Sequence, residues 1–260
     1  MQHYLYSQGN LLITLCIGTF MQFDYENKIS RQEALKLACY YLQERVRNGS
    51  NLKIIFEHSV HVFNVARIAE NIARNSNGRL DPDTAYSLGL LHDIGRIKDE
   101  TVTKVPHGVE GFNYLAEHGY PDLAPICLTH GFISKDIIQS DYPTYRPKLF
   151  AKVKEYLSEI EYNDYDRIIQ LADLFSRGKQ IMSIHDRLEK NKSFYHIKNL
   201  SYEQQAYDLR DYINNKYSID TEQLVQNMFH KPVGMYPHTE LRNQPKLQPF
   251  KFYRFNGRLA

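Results

Sequence analysis

The most informative stretch of the chain lies at residues 87–95 and reads Ser87-Leu88-Gly89-Leu90-Leu91-His92-Asp93-Ile94-Gly95. Two side chains that commonly bind metals, His92 and Asp93, stand side by side at the end of an apolar run that is expected to be buried. Burying a carboxylate without a partner is costly, and a metal ion is one of the few good partners. The stretch therefore predicts a metal site inside the folded chain.

Four more candidate metal ligands flank this pair: His58 before it, and His107, His130 and Asp173 after it. His58, His92 and Asp173 stand beside apolar neighbours on three separate predicted helices. Helices packed in a bundle can direct such groups to one interior point. Imidazole and carboxylate ligands suit Fe, Mn, Zn, Ni or Co without any thiolate. The residues thus favour a divalent-metal centre between helices.

Two other histidines are alternatives that the pattern disfavours. His61 lies one turn after His58, but we place it off the apolar stripe that contains Val62. His185-Asp186 is a second His-Asp pair, but its neighbours are charged, which is typical of an exposed helix face. We therefore predict His58 as the ligand and the second pair as surface.

Hydrophobic periodicity predicts helices over almost the whole chain. Ser30 and Asp81 are expected N-caps, and Pro82 suits the first turn of a helix that reaches His92. The predicted helices cover about 30–47, 52–73, 81–92, 108–118, 121 or 125 to 130, 148–160 and 164–175. The expected fold class is all-α, a helical bundle with a helical C-terminal extension.

The same patterns divide the chain into four regions. They are an N-terminal extension at 1–22, a main domain at 23–180, a helical extension at 181–229 and a proline-rich tail at 230–260. The tail holds six basic residues against one acidic residue, and its aromatic residues alternate with basic ones. Such a pattern can bind nucleic acid, but we favour packing of these aromatic side chains on the bundle or on a partner subunit.

Composition excludes several other classes of protein. The 260 residues are 42% hydrophobic with a net charge of +2, which is ordinary for a globular protein and too mild to indicate nucleic-acid binding. The apolar run from Leu11 to Phe20 is shorter than the roughly 20 residues of a membrane span. We interpret this run as part of the N-terminal extension, and a signal peptide is the alternative interpretation. Met21 is a candidate for the true first residue of the protein. Three cysteines without close spacing favour a reducing cytoplasm over a disulfide framework.

The order His58, His92-Asp93, Asp173 resembles the signature of the HD-domain metal-dependent phosphohydrolases. His58-Ser59 resembles the first motif, His92-Asp93-Ile94-Gly95 the second, and Leu171-Ala172-Asp173 the last. The resemblance covers about residues 30 to 180. It implies an all-helical HD domain, with the metal held between helices by His58, His92, Asp93 and Asp173.

The number of metals depends on His107 and His130. In some HD branches two further histidines complete a dinuclear site, and His107-Gly108 and His130-Gly131 resemble those of the symmetric diadenosine tetraphosphate hydrolases. This resemblance implies two divalent metals per chain, with Fe or Mn favoured and Zn, Ni, Co or Mg as alternatives. Otherwise both histidines line the pocket and contact phosphate.

The implied activity is hydrolysis of a phosphoester or phosphoanhydride by a metal-bound hydroxide. The expected substrate is a small phosphorylated molecule, with a nucleotide favoured. Asp93 would orient or deprotonate the water, and Arg96, Lys104 and Arg177 are candidate phosphate-binding cations. Arg177 stands four residues after Asp173, a spacing that places both on one helical face.

Two other functions fit the same ligands. A few HD proteins with this ligand order are di-iron oxygenases that act on small polyols or phosphonates. A binding or regulatory module could also keep the metal pocket without turnover. Guanosine tetraphosphate hydrolysis is an alternative within the hydrolase class, and a homodimer is an open alternative to a monomer.

Overall fold

The computed structural model of the protein describes residues 21–97, 105–195 and 200–230. These residues form helices with only short strands, which confirms the predicted all-α class. The chain divides into two compact units, 1–225 and 226–260, and only residues 226–230 of the second unit are described. The tail beyond residue 230, the first 20 residues and Lys104 lie outside the described residues.

Ten α-helices are present in the described part of the chain. They are α1 (Arg31–Arg47), α2 (Leu52–Arg74), α3 (Pro82–Leu91), α4 (His107–Glu117), α5 (Ile126–Thr129), α6 (Pro147–Glu159), α7 (Asp164–Leu174), α8 (Ile184–Tyr195), α9 (Leu200–Tyr217) and α10 (Thr221–His230). Short 3₁₀ helices occur at Ile94–Ile97 and Gln139–Asp141. Strand β1 (Met21–Gln22) pairs in parallel with β2 (Ile160–Glu161), and β3 (Ser176–Arg177) pairs antiparallel with β4 (Gln180–Ile181).

The predicted helix starts are confirmed by their caps. The Ser30 side chain accepts a hydrogen bond from the backbone N–H of Glu33, and Asp81 accepts one from Thr84 at 2.7 Å. Each bond satisfies an N–H group that the first turn of a helix leaves without an intrahelical partner. The two caps therefore begin α1 and α3 at the positions that the sequence predicts.

Helices α2 and α3 pack closely because α3 carries a glycine at their contact. A Cβ atom on Gly89 would lie 2.5 Å from the Cα of Ala66 in α2. Ala66 and Val65 are fully buried there, as is Leu88 on the facing helix. This contact brings the end of α3, and with it His92, against the middle of α2.

A second glycine fixes the start of α4. A Cβ atom on Gly95 would lie 1.8 Å from the carbonyl oxygen of His107 and 2.3 Å from the backbone nitrogen of Gly111. Only a residue without a side chain allows this approach. The 3₁₀ turn that follows Asp93 is therefore held against α4, although residues 98–104 between them lie outside the described part.

A buried polar network joins α5 and α7. Asp166 of α7 accepts hydrogen bonds from Thr129 Oγ1 at 2.7 Å and Tyr25 OH at 2.9 Å. Gln170, one turn further along α7, donates to the carbonyl oxygens of Thr129 at 2.8 Å and Phe132 at 3.0 Å. Satisfied buried polar groups resist displacement, because breaking them leaves unpaired groups in the core. The network thus fixes the short helix that precedes His130.

Within the described residues, no helix is both long and apolar enough to cross a membrane. The apolar run from Leu11 to Phe20 and Cys16 lie outside that part of the chain. Cys39 is exposed and Cys127 is buried, and both are free thiols. Burial raises the pKa of the Cys127 thiol well above its ordinary value, so this side chain behaves as a core residue.

Candidate metal centre

Four histidines and two aspartates meet at one buried point between the helices. Helix α2 supplies His61, the end of α3 supplies His92-Asp93, and the last turn of α7 supplies Asp173. The first residue of α4 and the C-cap of α5 supply His107 and His130. Segments far apart in sequence therefore contribute the six side chains.

Asp93 lies at the centre of the cluster. Its Oδ1 atom is 3.2 Å from His107 Nε2 and 3.5 Å from His130 Nε2, while its Oδ2 atom is 3.6 Å from His61 Nε2. The Asp93 side chain is almost completely buried. One carboxylate thus faces imidazoles on both of its oxygens.

Asp173 forms the second centre of charge. Its Oδ1 atom is 3.1 Å from His61 Nε2 and 3.9 Å from His92 Nε2. Potential ligand atoms of His61, His92 and Asp173 lie within 4.8 Å of one another, and so do those of His92, Asp93 and His130. The donors therefore form two overlapping groups that share His92.

The ring nitrogens that face away from the cluster are held by hydrogen bonds. The Nδ1–H of His92 donates to the carbonyl oxygen of Gly89 at 2.7 Å, and that of His130 donates to Ile126 at 3.1 Å. His61 Nδ1 hydrogen-bonds to Ser176 Oγ at 3.0 Å. A carbonyl can only accept, so Nδ1 carries a proton in both rings, and the neutral His92 ring keeps the lone pair of its Nε2 toward the cluster.

Two buried atoms of the cluster lack a hydrogen-bond partner, His92 Nε2 and Asp93 Oδ1. Leaving such atoms unpaired in the interior is costly. A divalent cation would satisfy both, and imidazole and carboxylate are ligands that such cations accept. The residues present therefore fit a divalent metal.

The protonation states agree with metal binding. Burial lowers the pKa of His92 to about 4, against the opposing effect of Asp93, so this ring is neutral near pH 7. Burial alone would raise the pKa of Asp93, but Arg96 and the surrounding histidines hold it well below its ordinary value. A neutral imidazole and an ionised carboxylate are the forms that bind metal.

The prediction of His58 as the ligand from α2 needs correction. The structure places His61, one turn later, against Asp173 and beside the His92 ring, with ring centroids 5.3 Å apart. His58 instead contacts the guanidinium of Arg45. His61 precedes the fully buried Val65 and Ala69 by four and eight residues, so it lies on the buried stripe of α2. His58 has a similar spacing to Val62 and Val65, and the choice between the two histidines depends on where α7 packs against α2.

Of the three predicted phosphate-binding cations, the structure places Arg96 at the cluster. Arg96 lies at the cluster, where its Nε donates to Asp93 Oδ2 at 2.7 Å and an Nη is 3.3 Å from His107 Nε2. Arg177 does not share a helical face with Asp173, because α7 ends at Leu174 and Arg177 belongs to β3. Lys104 lies outside the described residues.

Three residues near the centre were not predicted from the sequence to lie there. Ser176 orients His61, as described above, and Arg187 of α8 brings an Nη atom to 3.9 Å from Asp173 Oδ2. Arg187 follows the exposed pair His185-Asp186, whose predicted surface position agrees with the structure. The charged neighbourhood of that pair concealed one inward-facing arginine. Arg45 was missed because nothing in α1 marks it as buried.

Comparison with known proteins finds a family-model match for the central segment of the chain. Residues 56–178 match the family model of the HD domain, and this match supports the HD-domain superfamily. The segment begins in α2 and ends just after β3, so it contains all six clustered side chains. No curated protein and no solved structure matches the chain. HD domains bind divalent metals, and the two donor groups found here could hold them.

Proposed function

We propose that the protein is a metal-dependent phosphohydrolase that cleaves a phosphoester or phosphoanhydride bond of a nucleotide-like substrate. The observation that carries this proposal is the convergence of four imidazoles on two carboxylates, with His92 Nε2 and Asp93 Oδ1 buried and unpaired. The HD-domain match over 56–178 supports the same class of activity.

We further propose two divalent cations per chain. His61, His92, Asp93 and Asp173 would hold one of them, and Asp93, His107 and His130 would hold the other. Asp93 suits the shared position because its two oxygens face different histidines, His107 and His130 on one side and His61 on the other. A carboxylate with oxygens directed to both groups can bridge them.

The chemistry of hydrolysis needs both a nucleophile and charge stabilisation. A bound divalent cation lowers the pKa of a coordinated water toward about 7 and polarises a phosphoryl oxygen. Asp93 would orient the attacking water through the carboxylate that Arg96 now holds by its Nε–H. The guanidinium of Arg96 is also suited to contact a phosphate oxygen of the substrate, because arginine binds phosphate in a bidentate manner.

The exposure of the cluster indicates where a substrate would enter. The His92 side chain is 0% exposed, whereas His107 is 24% and Arg96 is 30% exposed. Asp173 is also partly open, beside Arg187. The phosphoryl group would therefore approach along the open edge of the cluster, and the buried histidines would face it from beneath.

The test is metal analysis combined with a hydrolysis assay on full-length protein purified without oxygen. Elemental analysis should find about two equivalents of a divalent metal, such as Fe or Mn, as expected for a dinuclear carboxylate and histidine site. A panel of nucleotides and dinucleotides should give phosphate or nucleotide product. Removal of the metal with a chelator should abolish the activity, and readdition should restore it.

The same experiment discriminates the other functions. Dioxygen consumption that requires iron, without phosphate release, would contradict hydrolysis and favour the oxygenase. Bound metal without turnover of any compound in the panel would favour a regulatory module. Protein that binds no metal under any loading condition would contradict every function built on these six residues.

A further inference from the structure

Helix α1 carries a buried arginine that has no acidic partner among the described residues. Arg45 is only 7% exposed. Its Nη1 contacts His58 Nδ1 and lies 3.3 Å from Tyr41 OH, and its Nε has no hydrogen-bond partner. By contrast, Arg96 and Arg187 each face a carboxylate of the cluster. Arg45 is thus a buried cation whose charge is not balanced by an ion pair.

Neither Tyr41 nor His58, the two side chains that contact Arg45, supplies a negative charge to balance it. Burial raises the pKa of Tyr41 to about 12, so its hydroxyl stays protonated near pH 7. Burial, with the repulsion of Arg96 and Arg45, lowers the pKa of His58 to about 3, so its ring is neutral. The position of Arg45 in the last turn of α1 gives partial compensation from the helix dipole. That effect provides no acceptor for the unpaired Nε.

The Arg45 side chain lies beside the metal centre. His58, which it contacts, stands one turn before His61 on α2. The charges of Asp93 and Arg96 both act on the His58 ring and on the Tyr41 hydroxyl. Asp93 is the central residue of the cluster, so its charge and that of Arg96 reach the two side chains that Arg45 contacts.

The charge of this region fits a substrate with more than one anionic group. Asp93 faces the guanidinium of Arg96 and Asp173 faces that of Arg187, while Arg45 adds a third guanidinium without an ion pair among the described residues. Two divalent cations would add further positive charge at these carboxylates. One phosphoryl group at the metal would leave the region positive, and a second phosphate or phosphonate would reduce that excess.

We propose that Arg45, supported by His58, binds a second anionic group of the substrate beside the phosphoryl group at the metal centre. This inference rests on the proposed function only for the identity of the first group. It assigns the substrate to compounds with at least two phosphoryl groups, such as a nucleoside polyphosphate or a bisphosphate. It also gives α1, which precedes the matched HD segment, a role in substrate selection.

The test compares two non-reacting anions on the full-length, metal-loaded protein. Inorganic phosphate and methylenediphosphonate are titrated by isothermal calorimetry, and metal content is measured again afterwards. The diphosphonate should bind more tightly than phosphate. Arg45→Gln should weaken its binding about tenfold or more, as expected for loss of a charged hydrogen bond, and leave phosphate binding unchanged.

Matched variants separate this role from a structural one. Arg47→Gln makes the same change two residues later on the same helix, where the side chain is exposed and pairs with Glu44, and it should leave both affinities unchanged. Arg45→Lys keeps the charge without the planar group and should give intermediate diphosphonate binding. If Arg45→Gln fails to fold, His58→Gln and Arg45→Lys provide the comparison.

Equal binding of the diphosphonate by wild type and Arg45→Gln would overturn the proposal, as would a wild type that prefers phosphate. Both readouts are binding constants, so they hold whether or not hydrolysis is found. Absence of hydrolysis with selective loss of diphosphonate binding would contradict the proposed function and leave the Arg45 site supported. Hydrolysis by the wild type, with diphosphonate binding that Arg45→Gln leaves unchanged, would support the proposed function and contradict the role of Arg45.

Discussion

The two halves of the metal centre are built in different ways. The long-helix half consists of His61, His92 and Asp173, which lie in or directly after helices of 23, 10 and 11 residues. The loop half consists of Asp93, His107 and His130, which lie next to a 3₁₀ turn, at the first residue of α4 and at the end of a four-residue helix. The first half is held by helix packing, and the second by individual contacts such as the close approach at Gly95 and the hydrogen bonds of Thr129 to α7. If each half holds one cation, as we propose, we expect the long-helix half to bind its cation more firmly.

The largest effect is expected from removing Asp93, the loop-half carboxylate that also faces His61 of the other half. Asp93→Ala should lose both cations and all hydrolysis, because Asp93 faces histidines on each side. Loss of an outer partner of a ligand already costs about 10- to 100-fold in metal affinity or activity, and loss of a bridging ligand should exceed this. Metal analysis and phosphate release measure the result. Asp186→Ala, which removes the exposed aspartate of the second His-Asp pair, should change neither.

The comparison between the halves is sharpened by single histidine variants. His61→Gln should remove the cation of the long-helix half and abolish hydrolysis, whereas His107→Gln should lose only the cation of the loop half. His58→Gln should keep the metal content of wild type, because His58 contacts Arg45 and not the cluster. Elemental analysis of the three variants checks this. Metal loss in His58→Gln together with retention in His61→Gln would reverse our ligand assignment.

A backbone change should weaken the loop half without altering a ligand. In Gly95→Ala the new methyl group would collide with the carbonyl of His107, so α4 must move. Overpacking of this kind costs about 1–3 kcal/mol of unfolding free energy. Urea unfolding should show that loss, and metal analysis should show depletion of one cation. Gly131→Ala, whose added Cβ would have only an ordinary contact at 3.8 Å, is the control.

The smallest effect is expected at the residue that orients His61. Ser176→Ala removes the hydrogen bond to His61 Nδ1 and should weaken metal binding by about tenfold, with hydrolysis reduced in proportion. Competition with a chelator of known affinity measures the change. Ser158→Ala, at an exposed serine that only bonds its own helix, should leave the affinity unchanged. An unchanged affinity in Ser176→Ala would show that packing alone orients His61.

The elements that the sequence predicts well are those that local chemistry determines. Ser30 and Asp81 begin their helices at the predicted positions, since a cap acts within one turn. The pair His92-Asp93 was recognisable because a charged residue follows an apolar run. Five of the six predicted ligands lie in the cluster, although their role as ligands stays a prediction.

The predictions that were wrong concern which helical turn or chain segment faces an element that is distant in sequence. His58 and His61 are both near the apolar stripe of α2, and the choice depends on where α7 crosses that helix. Arg177 was placed by extending α7 past Leu174, but the chain leaves the helix there and forms β3. Arg187 reaches Asp173 only because of where α8 packs. These relations come from tertiary packing, which spacing within one helix does not determine.

The glycine at the α2–α3 contact has a consequence for which ion the centre would accept. Gly89 sets how near α3 comes to α2, and its carbonyl oxygen also fixes the ring of His92. A methyl group there would push the two helices apart and widen the space between His61 and His92. The radius of the ion that the centre prefers would then depend on Gly89, a residue that does not contact the ion. Exchanging this one glycine for alanine would thus change the preference of the centre among divalent metals without replacing any ligand.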